Sequence, residues 1–540
     1  MPQKPIYNVL LAILSGILLG VGWPETGGIT PFLFIGFVPL LFVQQQCQLN
    51  KTRFFWYPYL AFLVWHLISI SWVYCVNEPL VTKVISLLTP SLINPLFMAT
   101  IFYWFHKART RLGDTPGYVA FVTFWIAFEY LHLHWSLSYP WLNLGNGLAN
   151  NIGIIQWYEY TGAFGGTLWI LLINYLLYKL LNTYITNKKI ALPNATLLVL
   201  LIGLPIIISS VIWSNHEEQE NPIEVVVVQP NIDPYFEKFS GLSPEQQINK
   251  LCSLGDTLLT ANTDYLLGPE TAIPRSVNID KFKLLPPWKI LKNYQKKYPK
   301  LNVVVGASLN QYYFPEDEIP ITARKFRREE VWYDSFNSAV QIDATDSFQY
   351  YHKSKLVLGV ETMPFPQVFQ HFQDVIFDLG GTTGTLGTQK ERSVFQHASK
   401  DIKIAPVICW ESVYGAYCTE YIKNGAQAIF ILTNDGWWDD SPGYHQHLNY
   451  AKLRAIETRR SIARSANTGT SAFINQKGET FQETDWWVED AIKDTINLNS
   501  ELTFYTEYGD YIARLSTFMA VMLLLWSIVK RYSKDQLSLK

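Results

Sequence analysis

The chain has 540 residues, too many for one soluble core, so at least two folding units are expected. It is 49% hydrophobic and only 16% charged, well below the ~25% charge of ordinary globular domains, and this deficit predicts membrane segments. A formal net charge of -2 without a basic stripe argues against a nucleic-acid partner, and five cysteines with no CxxC pair argue against a disulfide framework.

In chain order, residues 1–215 predict a membrane bundle, 216–505 a soluble domain, and 506–540 a final span with a short tail. Crossing ~30 Å of hydrocarbon takes about 20 apolar residues. Eight runs come near that length: 7–23, 30–43, 55–76, 84–105, 118–133, 165–184, 191–213 and 511–529. The first follows Lys4 without a small-residue cleavage site and reads as an uncleaved anchor. Lys51/Arg53, Lys107/Arg109/Arg111, Lys188/Lys189 and Lys530/Arg531/Lys534 fall on one side, and Lys83 is the exception. The positive-inside rule makes that side cytoplasmic. Both termini are then cytoplasmic, and in a bacterium residues 216–505 lie on the periplasmic side of the inner membrane. Glu129, His132, His134 and Glu159 sit near the outer ends of spans, where they either serve function or hydrogen-bond loop backbone.

From residue 223 the pattern changes to short β-branched runs at 224–229, 265–267, 303–307, 338–342, 404–408, 428–432 and 471–474. Helical patterns at 244–259, 285–297 and 447–460 lie between them, and loops fill 311–334 and 365–400. Continuous apolar strands alternating with helices predict an α/β domain with buried sheets.

Three strand ends carry chemistry. The run 403–408 ends at Cys409, followed by Trp410 and Glu411; Tyr265-Leu266-Leu267-Gly268-Pro269 ends at Glu270; Tyr350-Tyr351-His352 precedes Lys353. A thiolate is the nucleophilic form of cysteine and needs a nearby cation. Glu270 suits the general base, and Lys353 suits the group that steadies thiolate and oxyanion, together with the Trp410 N–H. Each residue alone also fits a plain structural role, and Lys355 is a neighbouring alternative to Lys353. His445 and His447 offer a zinc pair on paper but lack an obvious third ligand.

These segments resemble the carbon–nitrogen hydrolase (nitrilase) superfamily, and the whole chain is similar to its membrane-bound branch, the apolipoprotein N-acyltransferases. The resemblance rests on Gly268-Pro269-Glu270-Thr271, on Lys353 with Leu356-Val357 and Gly359-Val360-Glu361, and on Ile408-Cys409-Trp410-Glu411. Further matches are the runs 433–438, 454–460 and 464–471. The spacing of the second motif favours Lys353 over Lys355. The resemblance implies an αββα sandwich inserted before the last of eight spans, with no cofactor and no metal. It implies a Glu270–Lys353–Cys409 triad supported by Glu361 and Glu411, which help orient Lys353 and hold its charge, and by Asn337 and Trp410. The donor implied is a phospholipid, typically phosphatidylethanolamine, and the acceptor is the N-terminal diacylglyceryl-cysteine of a lipoprotein. Phe239 stands where many relatives carry tryptophan, and with Trp410, Trp437 and Trp438 it is a candidate for a lid or lipid interface. A membrane-anchored amidase acting on a small C–N bond, or an inert module, are the alternatives.

Overall fold

The computed structural model describes residues 5–363 and 385–538, so most of the expected loop at 365–400 lies outside the described residues. The chain forms two compact units. One comprises Met1–Cys75, Pro79–Asn215 and Tyr508–Lys540; the other comprises Val76–Glu78 and His216–Glu507.

The first unit is helical. Among the described residues, six helical segments are long and apolar enough to cross a membrane: Pro5–Gly22, Thr30–Leu49, Leu80–Leu112, Ala163–Asn187, Leu192–Asn215 and Tyr511–Tyr532. Two of the eight expected spans fall short of that measure. Trp56–Ser69 is a helix of 14 residues that breaks into the turn Ser71–Cys75. Asp114–His132 has 19 residues but carries Asp114 and Glu129. Arg109, read from sequence as a loop charge, is instead buried near the end of Leu80–Leu112. Its guanidinium pairs with Asp114 at 2.9 Å and lies over the Tyr118 ring.

Close helix packing is written in small residues. A Cβ on Gly16 would lie 2.3 Å from the Ala61 carbonyl, and one on Gly20 would lie 2.7 Å from Ile68. This Gly-x-x-x-Gly pair therefore lets Pro5–Gly22 sit directly on Trp56–Ser69. Backbone breaks at membrane depth need internal partners. The break before Val38–Leu49 is closed by Asn174, which accepts from the Phe37 N–H at 2.8 Å and donates to the Leu33 carbonyl at 2.8 Å. Glu129 plays the same part, accepting from the Leu144 N–H (2.7 Å), the Trp125 indole (2.9 Å) and the Thr167 hydroxyl (2.7 Å). Of the two roles open to Glu129, the backbone-bonding one is what its contacts describe.

The second unit contains two sheets. The strands of the first are β1 (Pro222–Gln229), β2 (Tyr265–Leu267), β3 (Ile273–Asn278), β4 (Asn302–Tyr313), β5 (Arg324–Lys325), β6 (Trp332–Ile342) and β7 (Phe348–His352), closed at one edge by β14 (Asp490–Asn497). Its order is β14-β1-β2-β4-β6-β5, with β3 paired to β4 and β7 paired to β6. The other sheet runs β13-β12-β11-β10-β9-β8, from β8 (Phe395–Gln396), β9 (Lys403–Ile408), β10 (Ala428–Thr433), β11 (Ile462–Ala466), β12 (Ala472–Ile474) and β13 (Thr480–Phe481).

The continuous valine run of β1 is explained by burial on both faces. Val225 and Val227 join Leu267, Val304, Ile429 and Ile431 in the core between the sheets. Val226 and Val228 face the other way, onto Ile248, Leu251 and Leu291 of helices Pro244–Asp256 and Pro286–Lys297. Helices Gly415–Lys423 and Pro442–Thr458 add Tyr421, Leu448 and Ala455 to the core around the second sheet. The result is the four-layer αββα sandwich expected from sequence. Truncating a core side chain should be costly: Leu267→Ala is expected to lower the stability of this unit by about 2–5 kcal/mol, measured as a drop in the denaturant midpoint of the full-length protein.

Candidate active site

All three predicted side chains stand just beyond strand ends. Glu270 follows β2 through Gly268-Pro269, and the next residue, Thr271, has φ 50°. Gly306 on β4 makes room for this turn, since a Cβ there would lie 2.2 Å from the Thr271 nitrogen and 2.6 Å from the Glu270 Cα. Lys353 follows β7, and its N–H continues the ladder to the Asn337 carbonyl of β6 at 2.8 Å. Cys409 follows β9 and opens the turn Cys409–Val413 at φ 48°. A non-glycine residue in the left-handed region costs of order 1–3 kcal/mol and persists where the surroundings demand it. The turn is held by Glu411, which accepts from the Ile408 N–H at 2.9 Å.

Glu270 and Lys353 meet in the interior. Lys353 is 1% exposed, Glu270 6% and Cys409 7%. The Lys353 ammonium lies 3.0 Å from Glu270 and 2.9 Å from Glu361. Asn337 donates to both carboxylates, at 2.6 Å to Glu270 and 2.9 Å to Glu361, so its amide bridges them above the lysine. Glu361 is itself fixed by the Val357 N–H at 2.8 Å. Burial disfavours the Lys353 charge, but Glu270 and Glu361, with Cys409, lift its pKa well above the ordinary lysine value.

The Cys409 thiol is pushed up, first by burial and then by the Glu270 carboxylate, and Lys353 only partly offsets both. The resting site therefore holds a thiol. Charge adds to burial: two carboxylates and the Lys353 ammonium sum to one negative charge before the thiol ionises. Moving the thiol proton onto Glu270 changes no net charge, so an acceptor carboxylate inside the site makes ionisation feasible.

The remaining expected residues separate. Glu411, expected to help hold the Lys353 charge, makes no bond to the lysine's ammonium among the described contacts. Its carboxylate accepts from the Ser354 N–H (2.7 Å) and from the Tyr351 (2.7 Å) and Tyr417 (2.5 Å) hydroxyls, so it steadies the main chain beside Lys353. Lys355, the alternative lysine, points to the Tyr414 ring at 4.7 Å. Trp410 is 4% exposed and donates to the Tyr414 hydroxyl at 3.2 Å, which removes it from any surface lid. Phe239 is 48% exposed and stacks on half-buried Trp437 at 6.4 Å. Trp438 is half-buried, with its ring 6.2 Å from His447.

Two features escaped the sequence reading. Lys238 is fully buried and donates to the Glu270 main-chain carbonyl at 2.7 Å. Behind Cys409, Asp435 binds His447 at 3.0 Å and also pairs with Arg464. His447 in turn bonds the Ser412 hydroxyl (3.0 Å) and the Cys409 carbonyl (3.2 Å). Cys409, Asp435 and His447 place ligand-type atoms within 4.8 Å of one another, but the Asp435 and His447 atoms already have these protein partners. His445 is exposed while His447 is buried, as positions two apart on helix Pro442–Thr458 must be, so the two do not form a pair. The Asp435–Arg464 network could not be read from spacing, because its members lie on separate elements.

The fold and these side chains define a cysteine-centred site on an αββα sandwich. Residues 224–501 match the carbon–nitrogen hydrolase family, more than half of the chain, and residues 15–176 match the apolipoprotein N-acyltransferase N-terminal domain. Apolipoprotein N-acyltransferase of Chlorobaculum tepidum is 28% identical over 98% of this chain and 97% of its own length. That of Thermotoga maritima is 24% identical over 96% and 93%. Among solved structures, a CN-hydrolase superfamily protein from Xanthomonas campestris aligns with 51% of this chain and 91% of its own, at 16% identity and a TM-score of 0.35. Saccharomyces cerevisiae Nit3 aligns with 52% and 92%, at 14% identity and a TM-score of 0.35. The chain belongs to the carbon–nitrogen hydrolase family, and over nearly its whole length it is similar to the apolipoprotein N-acyltransferases.

Two outcomes follow from the geometry. Gly306→Ala should displace the Glu270 turn, reduce turnover at least about ten-fold, the effect of ~1.4 kcal/mol in the barrier, and also lower the unfolding midpoint, because the atoms its Cβ meets are backbone. Asp435 should act on stability. Burial opposes its charge, yet Arg464 and His447 hold its carboxyl down to about 2. The stabilisation is thus complete above the ordinary carboxyl range and is lost as the pH falls towards 2. Asp435→Asn should be less stable than the parent at pH 7, and the gap should narrow below pH 4.

Proposed function

We propose that this protein transfers a fatty acyl chain from a phospholipid, through a Cys409 thioester, to the free α-amine of the N-terminal diacylglyceryl-cysteine of lipoproteins. The observation that carries the reading is the buried Lys353 ammonium clasped by Glu270 and Glu361 beside a strand-end cysteine. In the first half-reaction Glu270 takes the Cys409 proton as sulfur attacks the ester carbonyl. Lys353 and the Trp410 N–H receive the oxyanion, and Glu270 returns the proton to the departing lysophospholipid oxygen. In the second, the α-amine attacks the thioester, its proton passes to Glu270, and the thiol is regenerated.

Asn337 and Glu361 keep Lys353 aligned, while Glu411 supports the adjacent backbone. Phosphatidylethanolamine is the donor in this reading. The catalytic unit is periplasmic, both termini are cytoplasmic, and the two short segments complete eight spans. Phe239, with Trp437 and Trp438, forms the aromatic rim that meets lipid. A membrane attachment makes physical sense because hydrocarbon burial is worth ~0.8 kcal/mol per CH₂, so drawing a long acyl chain into water costs on the order of 10 kcal/mol. The amidase alternative shares the triad but leaves the membrane unit without a role.

The test is intact-mass spectrometry of the full-length protein after incubation with phosphatidylethanolamine. The expected result is a fatty-acyl mass increase that is absent from Cys409→Ala and is discharged by a diacylated lipopeptide with a free amine. No adduct on a folded protein, with hydrolysis of small amides instead, would overturn the proposal.

A further inference from the structure

We infer that Lys238 is a second lysine of the catalytic site, a positioning residue whose positive charge, delivered by the loop 233–242, promotes ionisation of the Cys409 thiol. The inference rests on Cys409 being the nucleophile. A lysine is almost never fully buried without a charged partner or a task, and Lys238 is 1% exposed. The one hydrogen bond of its ammonium among the described residues goes to a neutral group, the Glu270 carbonyl.

The loop is built to place it there. The Asp233 carboxylate accepts from the N–H groups of Tyr235 (2.8 Å) and Phe236 (3.1 Å), and the Asp233 carbonyl accepts from the Lys238 N–H at 2.9 Å. The Gln247 amide ties the Lys238 carbonyl at 2.7 Å. The Tyr235 hydroxyl donates to the Trp437 carbonyl at 2.8 Å. Phe236 and Phe239 point outward, 67% and 48% exposed, while the lysine between them turns inward. The same short loop thus carries aromatic side chains at the surface and a cation inside.

Electrostatics supplies the role. Glu270, Lys353 and Glu361 sum to one negative charge, which opposes a thiolate. A second ammonium neutralises that sum. Burial drives Lys238 down and the Glu270 and Cys409 charges offset only part of that, leaving it at about 7, so its charge responds to theirs. The other titratable groups around Cys409 are Asp435 and His447, while Asp233 and Glu237 share the loop with Lys238. A purely structural lysine would need only its hydrogen bond, which glutamine can also make.

The test uses full-length protein in phospholipid nanodiscs and follows iodoacetamide alkylation of Cys409, located by peptide mass, from pH 6 to 10. Lys238→Met and Lys238→Gln are expected to slow alkylation about ten-fold at neutral pH, the effect of about one unit in the thiol's ionisation. Lys238→Arg should stay within about three-fold of the parent, since it keeps the charge. Thermal unfolding checks the fold, and if Lys238→Met unfolds, Lys238→Gln decides. A parental alkylation profile in Lys238→Gln overturns the inference. Alkylation needs no lipid, so failure of acyl transfer in the parent would count against the proposed function and leave this test readable.

Discussion

The site depends on one buried cation. Lys353 is buried away from bulk solvent, so it holds its charge through Glu270 and Glu361, which stand within 3.0 Å, and Asn337, which locks both carboxylates in place. Removing either acid would leave a buried charge underpaired, a change that typically costs several kcal/mol. That cost explains why so much of the surrounding fold fixes main-chain position: Gly306 under the Glu270 turn, the β6–β7 ladder at Lys353, and Glu411 across the Ile408 and Ser354 amides.

The same arrangement sets the state of the thiol. An ammonium shared by two acids is a weak activator at rest, because the acids cancel it. The cysteine therefore stays protonated until a base inside the site takes its proton. In the proposed acyl transfer this suits a thioester that must survive until a second substrate arrives, since a permanently ionised thiol is open to side reactions. Glu270 is placed to serve as both ion-pair partner and proton acceptor.

Much of this was legible in the sequence because strands announce themselves. The β1 valines, the run ending at Cys409 and the Gly-Pro before Glu270 each end in a sharp stop and mark an α/β domain with buried sheets, while the αββα layering was implied by the family resemblance. What could not be read was contact between distant elements. Glu411 was given a role towards Lys353 when its acceptor sites are filled by amides and tyrosines. Trp410 was considered for the surface and is packed inside. Lys238 carries no signal in its spacing, and only the folded loop turns it towards Glu270. In the membrane unit, helices Trp56–Ser69 and Asp114–His132 differ from simple spans because one breaks early and the other carries acids.

The central claim is that the Lys353 cation, held by two acids, makes Cys409 chemistry possible. The most direct measurement compares acyl-Cys409 formation in parent and Lys353→Met by intact mass, under single-turnover conditions with phosphatidylethanolamine in nanodiscs. The account predicts a folded variant that accumulates no acyl-enzyme while the parent does. Acylation of Lys353→Met at the parental rate would contradict it.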